Sequence, residues 1–181
     1  MEKAVRRCSI SRGYRAAMLG VPQRISARLP AFDYTRPGAY FVTVCTHERR
    51  CVFGRVQNRG VLLSKGGQIV EEEWLRTAEK RPYVMLDSHV IMPNHVHGVI
   101  IIQEHVRPSS LTRSAGLTRQ SLSSIVGGFK AAASRRIALL TDIGRPHLWQ
   151  RGYHEHIVRN DDDLRSIREY IANNPARWRQ G

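Results

Sequence analysis

Two periods of hydrophobic and polar positions alternate along this chain, and the switches between them predict its elements. From Ala39, the run Tyr40-Phe41-Val42-Thr43-Val44-Cys45-Thr46 is aromatic and β-branched, the composition of a strand. Gly54, Gly60, Gly66 and Gly67 then mark a region of hairpin and turn. Val70, Trp74 and Ala78 recur at i, i+4 and i+8, which predicts a helix from about Gln68 to Lys80, with Glu71 to Glu73 in its first turns. Arg81-Pro82 ends it. Two apolar, β-branched runs follow, Val84 to Met92 and Val99 to Ile102, with Pro93-Asn94 reading as a turn between them.

Glu104 to Arg119 has no periodicity and reads as an exposed loop. Leu122, Ile125, Val126, Phe129, Ala133 and Ile137 then form one stripe, predicting a helix from Ser121 to Leu140 that Gly127-Gly128 weakens at its centre. Leu148 to Tyr153 reads as a last strand extending toward Ile157. Asn160 caps a final helix with Asp161, Asp162 and Asp163 in its first turn, a core stripe of Leu164, Ile167 and Ile171, and Asn173-Asn174-Pro175 at its close. The order β-α-β-β-α-β predicts an α+β fold: a ferredoxin-like antiparallel sheet with helices on one face, plus an additional C-terminal helix.

Composition adds a partner. Hydrophobic residues at 41% and charged residues at 24% suit a globular domain, but 29 Lys and Arg against 15 Asp and Glu give a formal net charge of +14. Such a surplus points to a polyanion, nucleic acid before acidic membrane. Residues 1–27 form a basic arm with Glu2 as their sole acid, leaving 28–181 as the folded domain. Between His105 and Thr141 stand Arg107, Arg113, Arg119, Lys130, Arg135 and Arg136 without one acidic residue, the best phosphate-facing surface in the folded part; Arg151 is a further candidate. No run is long enough to span a bilayer, and the odd, scattered set Cys8, Cys45 and Cys51 suggests neither disulfides nor a zinc knuckle. The expectation is a cytoplasmic, nucleoid-associated protein.

The candidate chemistry lies in Asn94-His95-Val96-His97-Gly98. On a strand, His95 and His97 share a face with Cα atoms roughly 6–7 Å apart, so both imidazoles can reach one divalent ion. Buried histidines are also commonly structural, satisfied by a carbonyl or hydroxyl. On the last helix, Tyr170 lies just off the core stripe and Asn174 one turn later on the same side. Each has an ordinary explanation too, in packing and capping.

Taken in order, the motifs resemble a known family. They are Arg28-Leu29-Pro30, Phe32-Asp33-Tyr34, Pro37 to Thr43, Val90 to Gly98, Gly128-Phe129-Lys130, Leu148 to Arg151, His156 to Asn160, Arg168 to Ile171 and Asn173-Asn174-Pro175. Over roughly residues 24–178 the chain resembles the HUH superfamily of single-stranded DNA nucleases, and within it the REP-associated tyrosine transposases. The resemblance implies that His95, His97 and Asn174 hold Mg²⁺ or Mn²⁺ and that Tyr170 is the nucleophile. It implies cleavage and rejoining of single-stranded DNA through a 5′-phosphotyrosine, on imperfect hairpins flanked by a recognition tetranucleotide. Tyr153, beside His154-Glu155-His156, is the rival nucleophile, disfavoured by its place in a strand. A monomer is expected before a homodimer. The alternative is a non-catalytic single-stranded DNA- or RNA-binding protein on the same scaffold, but Tyr40 and Phe41, adjacent on a strand, face opposite ways and make a poor stacking platform.

Overall fold

In the computed structural model, residues 35–104, 121–140 and 147–178 are described. The basic arm, the motifs from Arg28 to Tyr34, most of the loop predicted to end at Arg119, and Arg119 itself lie outside them. The chain runs β1 (Gly38–Cys45), β2 (Gly54–Gln57), β3 (Gly60–Leu63), α1 (Lys65–Glu79), β4 (Val84–Met92), β5 (His95–Ile102), α2 (Leu122–Ala138), β6 (His154–Ile157) and α3 (Asp161–Asn173). The four long-range strands form one sheet in the order β4-β5-β1-β6, every neighbour antiparallel. With β2 and β3 set aside as a small hairpin, this is the ferredoxin-like β-α-β-β-α-β arrangement, followed by the extra helix α3.

The period-2 alternation of β1 and β5 builds two cores. Tyr40, Val42, Val44, Val96, Ile100 and Ile102 face α1 and α2, where Trp74, Ile125 and Phe129 close the larger cluster. Phe41 and Val99 face the other way and receive Ile167, Tyr170 and Ile171 of α3. The helices thus divide between the two sheet faces, and α3 has one face to itself. Gly98 permits this division. It points toward α1, where an added Cβ would come within 2.3 Å of the Trp74 ring.

Three expectations shift. The helix predicted from Gln68 begins at Lys65, because the Ser64 hydroxyl caps it by accepting from the Gly67 amide at 3.1 Å, so Gly66 and Gly67 belong to its first turn. Gly127-Gly128 does not interrupt α2, whose apolar stripe on both sides packs into the core. The last strand is His154–Ile157, and Leu148 to Tyr153 is not a regular strand. That earlier stretch still touches the sheet edge through the bridge from Thr46 to Trp149. Between that bridge and the pair Thr43–His154, β1 retreats three residues while the other strand advances five, and the excess is absorbed around Gly152 at φ 76°.

Candidate active site

The site sits on the α3 face, at the tip of the β4–β5 hairpin. The register places His97 between Val90 and Thr43, and Thr43 opposite His154, so these four make one row across the sheet. His95 lies between Met92 and Cys45 in the next row of the same face. Both histidines are 1% exposed. Their Nε2 atoms converge to 3.0 Å, while the outer nitrogens are held from behind. His95 Nδ1 lies 2.6 Å from Asn94 Oδ1, and His97 Nδ1 lies 2.8 Å from Thr43 Oγ1. Asn94 Nδ2 donates to the Arg49 carbonyl at 3.2 Å, which fixes the orientation of the amide and makes His95 Nδ1–H the donor to Oδ1. The Nε2 of His95 therefore carries a lone pair, which at 3.0 Å can accept from His97 Nε2–H.

Burial dictates the charge state of the pair. Desolvation, with the Arg49 charge second, pushes His95 down to about 3. His97 is held well below the usual imidazole range by burial and then by its neighbour His95. Two neutral imidazoles with converging nitrogens are ligand-like. A separation of 3.0 Å is also about the edge of an octahedron whose metal–ligand bonds are ~2.1 Å.

From the other side, α3 brings Tyr170 and Asn174. Tyr170 is 8% exposed, and its hydroxyl stands 3.4 Å from His97 Nε2. Phe41 fixes both partners: it stacks on the His97 ring at 5.4 Å and meets Tyr170 edge-on at 6.1 Å. Asn174 is 2% exposed, and its Nδ2 is buried without a hydrogen-bond partner among the described residues. It stands in the chain between Tyr170, whose ring meets His97, and Trp178, whose ring lies 5.9 Å from His95. A buried amide nitrogen of this kind calls for a partner that the described residues do not supply. The residues fit a hard or borderline divalent ion held by two histidines and an amide oxygen. No group of three or more His, Cys, Asp or Glu suited to a metal occurs among the described residues.

The remaining predicted residues are placed as follows. Tyr153 packs against the α1–α2 core, its hydroxyl 3.3 Å from Ser123 of α2, on the far side of the sheet from the histidines. Lys130 donates to the carbonyls of Gln150 at 2.7 Å and Gly152 at 2.9 Å, tying α2 to the bulged segment. Arg136 pairs with Glu72 and with the buried Glu73, whose carboxyl Arg76 also reaches at 3.0 Å. Arg135 and Arg151 are exposed. Sequence reasoning missed Thr43, Asn94 and Phe41 as supports of the site. Only the identity of the cross-strand partners could have found them, and register is not written in any one strand.

The family model described as "Transposase IS200 like" matches residues 115–174, a span that includes Tyr170 and Asn174. An uncharacterized protein of Haemophilus influenzae strain Rd is 38% identical over 173 residues, covering 89% of this chain and 93% of that protein. A solved REP-associated tyrosine transposase, bound to a REP hairpin, shares the fold with a TM-score of 0.55 at 21% identity, over 82% of this chain and 73% of that one. Fold and site thus define a transposase-type domain with a tyrosine-bearing helix laid over a histidine-bearing sheet. The chain belongs to the IS200-like transposase family. Among the described residues, no helix is long and apolar enough to cross a membrane.

Proposed function

We propose that the chain is a metal-dependent endonuclease and strand transferase of single-stranded DNA, acting on repeat hairpins through a 5′-phosphotyrosine at Tyr170. One observation carries this reading: the Tyr170 hydroxyl stands 3.4 Å from His97 Nε2, which itself lies 3.0 Å from His95 Nε2. Neither a packing tyrosine nor a structural histidine pair requires that convergence. The hairpin in the related solved structure supports the substrate class.

His95, His97 and Asn174 would hold Mg²⁺ or Mn²⁺, and such an ion supplies Lewis-acid polarisation of a phosphoryl oxygen. The other roles belong to the chain. Tyr170 Oη attacks phosphorus; the Oη–P bond forms as the P–O3′ bond breaks, the phenol gives up its proton and the departing 3′ oxygen takes one up. Attack by a 3′-hydroxyl on the phosphotyrosine reverses the exchange and joins strands without ATP, because the bond energy is kept in the ester. Phe41 and the apolar stripe of α3 hold the nucleophile over the pair, which limits the approach to one line. Arg135, Arg151 and the cations of the segment that includes Arg119 would track the phosphate backbone, and the place of action would be the nucleoid.

The test is a denaturing gel of protein incubated with single-stranded hairpins from repeats flanking its gene, with Mn²⁺, Mg²⁺ or chelator. The expected result is a metal-dependent covalent adduct that disappears in Tyr170→Phe while hairpin affinity stays within a few-fold of wild type. An adduct persisting in Tyr170→Phe would move the nucleophile, with Tyr153 next examined. Tight binding without an adduct on any hairpin would favour a non-catalytic binding protein.

A further inference from the structure

The chain does not leave the site at Asn174. That residue closes α3 and opens a short 3₁₀ turn, Pro175–Arg177. Within the turn the Arg177 amide donates to the Asn174 carbonyl at 3.2 Å and the Trp178 amide to the Pro175 carbonyl at 3.3 Å. Pro175 at its head fixes one backbone dihedral. The turn delivers Trp178 to the histidines. Its ring centroid lies 5.9 Å from that of His95, with 33° between the planes. This is the separation of an offset aromatic pair, nearer face-on than edge-on. Trp178 stands four residues beyond the span that the family model matches, and the attack by Tyr170 does not call on it.

Asn174 needs holding from outside its own side chain, because its Nδ2 has no partner among the described residues. Towards the N-terminus α3 is held by Ile167, Tyr170 and Ile171 against Phe41 and Val99, by Arg168 on Asp87 and by Asp163 on His156. All of these contacts precede Asn174. On its other side stands the contact of Trp178 with His95. What the indole offers there is its π face, since its Nε1–H is buried and finds no acceptor among the described residues. The face of an indole is negative and is the best side-chain partner for positive charge. An imidazole that gives its lone pair to a divalent ion takes on positive character, so the contact strengthens when the ion binds.

We propose that Trp178 is a positioning residue of the metal centre: its indole, laid against His95, holds the turn that carries Asn174 and stabilises the charge that the ring acquires on binding the ion. Trp178 acts through His95 and Asn174, and it touches neither DNA nor the reacting phosphate. The proposal rests on the metal-dependent reading of the site, but not on the identity of the substrate.

Three measurements on the full chain test it. The first is calorimetric titration of Mn²⁺ without DNA. Trp178→Leu is expected to weaken binding by about 10-fold, and Trp178→Phe, which keeps an aromatic face, by no more than about 3-fold. The second is the ¹⁹F spectrum of protein carrying 5-fluorotryptophan, in which Trp74, Trp149 and Trp178 resonate and the signal missing from Trp178→Phe is that of Trp178. Sub-stoichiometric Mn²⁺ should broaden that signal more than the other two, because paramagnetic relaxation falls steeply with distance. The third is single-turnover adduct formation on a repeat hairpin. The Trp178→Leu rate should fall at low Mn²⁺ and return to that of wild type at saturating Mn²⁺. A deficit that persists at saturation would overturn the proposal in favour of contact with the DNA. Wild-type Mn²⁺ affinity in Trp178→Leu, or equal losses in the Leu and Phe variants, would overturn it as well. A melting temperature of Trp178→Leu in chelator well below wild type would assign the indole to the fold instead. If Mn²⁺ affinity falls as expected while wild type forms no adduct on any hairpin, the cleavage reading fails and the positioning role stands. No Mn²⁺ binding by wild type would remove the proposal together with the metal.

Discussion

His95 and His97 stay uncharged because burial gives a proton no compensating partner on either ring. In the unfolded chain both titrate near 6.5; in the folded protein His95 is pushed down to about 3 and His97 well below its usual range. Above pH ~6.5 both states are neutral and the pair has no effect on stability with pH. Below it the unfolded chain takes up protons that the folded one refuses, so stability falls progressively from ~6.5 toward 3. In chelator, the urea midpoint should therefore be lower at pH 5 than at pH 7; equal midpoints would mean that the rings can take up protons in place. The supports behind the rings matter as much as the rings. Thr43→Val keeps volume while removing the hydroxyl 2.8 Å from His97 Nδ1, and it should weaken Mn²⁺ binding by about 10–100-fold in calorimetric titration.

At the scale of elements, α3 decides whether Tyr170 meets the histidines. Its apolar stripe seats it centrally on Phe41 and Val99, and charged contacts reach the sheet at both edges. Arg168 makes a two-point contact with Asp87 of β4, at 2.8 and 2.7 Å, and Asp163 holds His156 of β6 at 2.9 Å. The Arg168 contact holds the Asp87 carboxyl at about 2, so its contribution is present above ~3.8 and is lost as pH falls from there toward 2. Arg168 is exposed, and solvent weakens the pair as a source of stability; its effect is to orient the helix. Arg168→Ala should speed amide hydrogen exchange along α3 with α1 and α2 unchanged, and adduct formation should drop in parallel. Unaltered exchange in α3 would leave its docking to the apolar stripe alone.

For the whole molecule, the charge balance is explained by where the acids go. Glu48, Glu72, Glu73, Asp87 and Asp162 each lie against an arginine, and Asp163 against His156, so the surplus that makes +14 has few acids left to meet within the described fold. That surplus is suited to a phosphate backbone. Hairpin binding should weaken steeply between 50 and 200 mM salt. Loss of Arg135 or Arg151, if each neutralises one phosphate, should reduce the slope of log affinity against log salt by roughly 0.7. A slope near zero would assign the charge to another purpose.

The element order, the ferredoxin-like sheet and the pairing of His95 with His97 on one face were legible in the sequence, because side-chain period is a local property of a strand. So was the Tyr170–Asn174 pair, one helical turn apart. Boundaries were less legible: Gly66 and Gly67 read as a turn, yet they lie inside a helix whose cap and packing outweigh the backbone cost. The strand read at Leu148 to Tyr153 lies a few residues later, since the bulge at Gly152 depends on what β1 offers opposite. Lys130 and Arg136 looked like free cations until tertiary contacts gave them carbonyls and carboxylates. The side of the sheet that α3 covers, the 3.0 Å approach of the two imidazoles, their neutrality and the bridge from Arg49 through Asn94 to His95 were decided only by the fold. Local sequence sets which way a side chain points along its own element; burial and register, which join distant elements, set what it meets there.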